Sequence, residues 1–331
     1  MTIFLNILFL VVGMVLLIKG ADFFVSGASA IAKRLKVPSM FIGLTIVALG
    51  TSLPELSVSI TSAISNSIDM SVGNVVGSNL FNMLLILGLV ALFSPIPMTK
   101  GTQKIDFPFL VAITGMLLLF GLDTILDGAT SNMIGRVESV LFIVVLALYL
   151  TILILNAKKD RREKLKNNII LEEETIEKDL KVWQIILFIV GGIAAVVFGG
   201  ECVSTTAKFL AIQMGMSEAL VGLTVVAVGT SLPELATSVI AAKKGENDIA
   251  LGNVIGSNVL NISLILGSVG LIAQAPISSV ILTDLAILFV ATILFTIICT
   301  RKNDISKKEG VLLLIMYFAY IAFAIIRNYC F

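Results

Sequence analysis

Glu55 and Glu234 stand in the same surroundings, each closing a copy of the hexapeptide Gly-Thr-Ser-Leu-Pro-Glu, at 50–55 and 229–234. No Lys or Arg occurs between Lys36 and Lys100 or between Lys208 and Lys243, so neither acid has a basic partner nearby in the chain. In an apolar segment an ionised carboxylate costs about 2.5–3.5 kcal/mol by insertion scales, and such groups mark ion pathways. Pro54 and Pro233 lack an N–H and crowd the preceding turn, which frees the carbonyls of Gly50, Thr51, Gly229 and Thr230. The hydroxyls of Thr51, Ser52, Thr230 and Ser231 add further oxygen. A pair of protonated structural glutamates beside ordinary proline kinks is the plainer reading, and it leaves this oxygen-rich setting unexplained.

A second block follows each hexapeptide. Ser78 and Asn82 are four residues apart and share a helical face, and Ser257 and Asn261 repeat the spacing. Gly73, Gly77, Gly252 and Gly256 allow close backbone approach, and Asn74, Asn79, Asn253 and Asn258 read as helix-packing residues. The donor set is thus two carboxylates with carbonyl, hydroxyl and amide oxygens. All-oxygen shells suit hard cations, and Ca2+ accepts six to eight irregular oxygen ligands. Two glutamates carry a charge of −2, which one Ca2+, two Na+ or two H+ neutralises. The chain has no histidine, and Cys202, Cys299 and Cys330 share no metal-ligand spacing, which removes zinc and imidazole proton relays from consideration. A formal net charge of +1 without a basic cluster argues against a nucleic-acid partner. No nucleophile–base pair or phosphate loop supports an enzyme, and no cofactor is expected.

The segments carrying these residues belong to a chain that is 57% hydrophobic and 14% charged, with a mean hydropathy of +1.05. The composition predicts an all-α polytopic membrane protein. Cutting the hydropathy at charged or turn-rich points gives ten spans, near 3–30, 37–66, 71–94, 105–121, 136–156, 182–213, 217–242, 248–273, 281–299 and 309–327. The polar C-terminal parts of the first and sixth are expected to tilt or bend. Gly43 to Ile60 matches Gly222 to Val239 at 13 of 18 positions, and Gly73 to Gly88 matches Gly252 to Gly267 at 11 of 16, both at an offset of 179. The same register pairs Asp22 with Glu201, which are read as polar residues near a bend or interface. Five spans per copy is an odd number, so the copies enter the membrane from opposite faces. Inverted repeats of this kind bring equivalent residues together near the midplane and support alternating access. The expected layout is a first five-helix repeat over 1–156, a charged connector over 157–181 and a second repeat over 182–331. Nineteen basic residues fall on the connector side and three on the other, which predicts a cytoplasmic connector and external termini.

The paired motifs, GTSLPE followed by GNVxGSNxxN, resemble the alpha repeats of the calcium/cation antiporter family, most closely its prokaryotic-type sodium/calcium exchanger branch. The resemblance implies the sodium/calcium exchanger fold and exchange of Ca2+ for Na+ across a cell membrane, with the bilayer as the protein's surroundings. It implies Ca2+ ligation by Glu55 and Glu234 with the carbonyls of Thr51 and Thr230. It assigns Na+ to Ala48, Ser52, Glu55, Ser78 and Asn82 in one repeat, and to Ala227, Ser231, Glu234, Ser257 and Asn261 in the other. Many relatives have an aspartate where this chain has Asn261, which leaves two acids and not three. A calcium/proton antiporter and a cation channel are the alternative readings. One chain carries both repeats, so a monomer suffices for transport.

Overall fold

The computed structural model describes residues 3–64, 68–122, 132–166, 180–213, 227–301 and 304–330. Lipid offers no hydrogen bonds, so the apolar runs satisfy their backbones internally and form helices. The helices are α1 (Ile3–Leu35), α2 (Ser39–Thr51), α3 (Leu53–Ile64), α4 (Ser71–Phe93), α5 (Thr102–Phe120) and α6 (Arg136–Lys166). The second series comprises α7 (Val182–Gln213), α8 (Ala227–Thr230), α9 (Leu232–Lys243), α10 (Asn247–Ile272), α11 (Ser279–Thr300) and α12 (Lys307–Cys330). Among the described residues eight helices are long and apolar enough to cross a membrane, and the pair α2–α3, bent by 47°, makes a ninth. The expected span 217–242 is represented by α8 and α9, its earlier part lying outside the described residues.

The first span runs on to Leu35, past the expected end at 30, and the sixth keeps its expected bounds. The first and sixth spans are unbroken helices of 33 and 32 residues. At 1.5 Å per residue each is close to 50 Å long and overshoots a hydrocarbon core of about 30 Å. Helix α6 continues to Lys166 where the hydropathy ended the span at 156. Hydropathy detects where lipid ends, whereas a helix persists into water when its charges can be solvated. Lys159 and Glu163, an i,i+4 pair 4.0 Å apart, lie on that extension.

Burial separates an inner pair of helices from an outer shell. The apolar windows of α4 and α10 are 78% buried, whereas those of α1, α5, α6, α7, α11 and α12 are 22–33% buried and face lipid. The inner helices carry the asparagines and serines, which lipid could not solvate. Helix α10 approaches α2 through glycine. A Cβ built on Gly252 would lie 2.8 Å from the Met40 carbonyl oxygen, and one on Gly256 would lie 2.6 Å from that of Leu44. Gly73 and Gly77 meet nothing within 4 Å among the described residues, and Gly222 and Leu223, the repeat equivalents of Gly43 and Leu44, lie outside them.

Helices α1 and α7 pack antiparallel. Gly13 faces Gly199 and Cys202, Gly20 faces Ala195, and Gly27 faces Phe188 and Ile189. These glycines recur every seven residues, as do Gly192 and Gly199, so one side of each helix is a smooth seam. Two short antiparallel strand pairs tie the repeats crosswise: Ile96–Pro97 with Asp304–Ile305, and Met133–Ile134 with Ala275–Pro276. The last helix of each half starts alike, with Glu138 accepting the Gly135 N–H at 3.0 Å and Glu309 accepting the Ser306 N–H at 3.1 Å. Glu309 follows Glu138 by 171 positions and not 179, so the first half carries eight more residues before its fifth helix. The ungapped repeat stops there.

Candidate cation site

Each broken helix turns at the serine of its hexapeptide. Ser52 (φ −83°, ψ 7°) and Ser231 (φ −93°, ψ 8°) depart from helical dihedrals two residues before the proline. Pro54 and Pro233 cannot donate to the carbonyls of Gly50 and Gly229, so the chain restarts as α3 and α9. Glu55 and Glu234 then sit in the first turn of the new helix, where the positive end of the helix dipole favours an anion.

The restarted helices cross-bond. The Ser52 hydroxyl, beside Glu55 in the chain, donates to Glu234 Oε1 at 2.9 Å, and the Ser231 hydroxyl donates to Glu55 Oε1 at 3.0 Å. Ser257 Oγ lies 3.0 Å from Ser52 Oγ and 3.3 Å from Glu234 Oε1, while Ser78 Oγ lies 3.0 Å from Ser231 Oγ. The two triads, Ser52–Glu234–Ser257 and Ser231–Glu55–Ser78, are related by the 179-residue offset. Both glutamates, both hexapeptide serines and Ser78, Ser257, Asn82 and Asn261 are buried.

What this cluster leaves unsatisfied is as informative. Glu55 Oε2, Glu234 Oε2, Asn261 Oδ1 and both polar atoms of Asn82 are buried with no hydrogen-bond partner among the described residues. An unpaired buried polar group costs about 1–3 kcal/mol, more for a charged one. No ion pair among the described residues involves either glutamate. Four lone carboxylate and amide oxygens with no basic partner among the described residues are chemically complete once a hard cation is added.

Thr51 and Thr230 lie beside the cluster. The Thr51 hydroxyl donates to Asn253 Oδ1 at 2.9 Å, and the Thr230 hydroxyl lies 3.4 Å from Asn74 Oδ1. Their carbonyls stay candidate ligands. Ala48 is buried against Gly256, and only the backbone of Ala227, at the start of α8, is described. Asn79 and Asn258 bond reciprocally across the repeats, each amide nitrogen donating to the other's backbone carbonyl at 3.4 and 3.2 Å. Asp22 is removed from the cluster, paired with Lys244 at 2.8 Å, and Glu201 accepts from Thr205 at 3.0 Å.

Sequence reasoning missed the π-helical turns. One runs Phe81–Ile86 through Asn82 and another runs Asn261–Leu266 from Asn261. Such turns widen a helix by one residue and occur at functional sites. No composition signal marks them.

These features define an integral membrane transporter built from two inverted repeats. The sodium/calcium exchanger protein family model matches residues 5–155 and 183–326, and the chain belongs to that family of cation antiporters. It is 38% identical over 318 residues to the putative antiporter CaxA of Alkalimonas amylolytica, covering 95% of this chain and 96% of that one. It is 35% identical over 349 residues to the sodium/calcium exchanger MaX1 of Methanosarcina acetivorans, covering 96% and 97%. The solved structure of the sodium-calcium exchanger NCX_Mj soaked with 2.5 mM Na+ and 0.1 mM Ca2+ superposes with a TM-score of 0.81 at 29% identity, over 96% of this chain and 98% of that one. The fold is the sodium/calcium exchanger fold.

Proposed function

We propose that this antiporter exchanges Ca2+ for Na+ at the cluster formed by Glu55 and Glu234, by alternating access between its two halves. The observation that carries the reading is the pair of buried carboxylates, each with one oxygen held by the other half's serine and one oxygen without a partner among the described residues. One Ca2+ cancels their charge, with the carbonyls of Thr51 and Thr230 completing an all-oxygen shell. Na+ is read to occupy the same cluster through Ala48, Ser52, Ser78 and Asn82 and through Ala227, Ser231, Ser257 and Asn261. An empty site keeps two negative charges in a low-dielectric interior and resists passing through the occluded state, so cargo must be carried in both directions. The names of MaX1 and NCX_Mj support sodium as the coupling ion.

Residues 1–156 and 182–331 serve as the two moving halves, joined by 157–181 on the cytoplasmic side, with both termini external. Calorimetric titration of Ca2+ into the purified chain tests the site. Binding is expected to weaken as Na+ is raised and to vanish in Glu234→Gln. Ca2+ affinity indifferent to Na+ but falling with acidification would instead favour proton coupling.

A further inference from the structure

Many bonds in the cluster obey the two-fold relation between repeats, but some do not. Asn253 Nδ2 donates to the Ser238 hydroxyl at 2.9 Å and lies 3.4 Å from the Glu234 carbonyl oxygen. This closes α9 onto α10. The equivalent atoms in the first half, Asn74 Nδ2 and Ser59 Oγ, are both buried and both without a partner among the described residues. Likewise Asn261 Nδ2 donates to Asn79 Oδ1 at 3.0 Å, whereas the side chain of its counterpart Asn82 and the matching acceptor Asn258 Oδ1 have no partner among the described residues. The residue types are identical in both copies, so the parts for the equivalent bonds are present, and only one of each pair is made.

We infer that Asn253–Ser238 and Asn74–Ser59 are alternating latches, one closing α9 on α10 and the other α3 on α4, so that each conformation makes one and breaks the other. The inference rests on the alternating-access reading of the cluster. Each asparagine is one turn from the serine that touches the site, Asn253 before Ser257 and Asn74 before Ser78, and each also accepts from a hexapeptide threonine of the opposite half. A latch therefore couples hairpin closure to the position of the ligand groups. Inverted-repeat transporters exchange the conformations of their halves, and a bond present in one copy and orphaned in the other is the local form of that exchange. A fixed sequence difference is the competing cause: Ser71, whose hydroxyl donates to the Ser59 carbonyl at 2.9 Å, is Ala250 in the second half.

Deuterium uptake of the full-length purified protein, read on peptides of α3–α4 and α9–α10, separates the two. Ser238→Ala removes the latch made here and is expected to raise exchange in α9–α10 and lower it in α3–α4, with a shift in balance of about five-fold for one net hydrogen bond. Adding Ser59→Ala to that variant removes the opposing latch and should return both hairpins to the wild-type pattern. A double variant that matches Ser238→Ala, or is looser still, overturns the inference, because Ser59 then has no bond to lose in either conformation. Ser59→Ala alone deletes no bond present in this structure and serves as the folding control. The readout needs no transported ion, so its failure is distinct from failure of the exchange reading. In membrane vesicles of opposite sidedness the same pair should shift and then restore the ratio of half-saturating Ca2+ at the two faces.

Discussion

Asn82 and Asn261 are the least symmetric members of the cluster, one with both polar atoms unpartnered and the other bonded to Asn79. Asn82 is therefore the amide most available to an incoming ion. Because its assigned role is with Na+ alone, Asn82→Ala should raise the half-saturating Na+ concentration several-fold while moving that for Ca2+ less, measured in the same exchange assay; an equal effect on both ions would count against that assignment. The glutamates and serines were legible in the sequence because polar residues repeated within apolar segments need a reason to be there. Which serine serves which acid was not. The neighbour in the chain, Ser52, bonds the distant Glu234, since the helix breaks at Ser52 and turns its hydroxyl toward the facing repeat. Asn253 was read as packing, and it does pack, but against the Thr51 that carries a candidate ligand carbonyl.

Helix packing supplies two contrasts that stability measurements can resolve. On α7 a Cβ at Gly192 would lie 2.7 Å from the Phe24 backbone nitrogen, whereas one at the adjacent Gly191 meets only Leu187 at 4.0 Å. Gly192→Ala should destabilise the protein by about 1–3 kcal/mol through overpacking, and Gly191→Ala should be neutral or slightly stabilising through helix propensity. Thermal denaturation in detergent compares them, and equal melting points would contradict the α1–α7 seam. Arg327 donates two 2.9 Å bonds to Asp284 with both side chains under 20% exposed, while the Lys244–Asp22 pair is 30% and 44% exposed. Arg327→Ala leaves a mostly buried carboxylate and should cost about 3 kcal/mol; Lys244→Ala should cost under about 1 kcal/mol. The spanning helices among the described residues and their repeat could be derived from hydropathy and self-similarity. The π turns and the length of α6 could not, because both are set by local hydrogen bonding and solvation that leave hydropathy unchanged.

The two halves meet in a pseudo-two-fold arrangement. Helices α1 and α7 run antiparallel, strand pairs cross between repeats, and serines from each half hold the other's carboxylate. The bias of Lys and Arg adds a direction to that symmetry. Trypsin should cut within 157–181 in inverted vesicles and spare it in intact cells; cleavage in intact cells would reverse the assigned orientation. The proposal that the crossed carboxylates bind Ca2+ and that Na+ returns them is tested most directly by calcium-45 uptake into proteoliposomes under separately imposed sodium, potassium and proton gradients. An outward sodium gradient alone should drive accumulation, and Glu55→Gln should reduce it at least about 100-fold, the loss of one of two balancing charges. Uptake driven by a proton gradient with sodium absent, or uptake that survives Glu55→Gln, would contradict it.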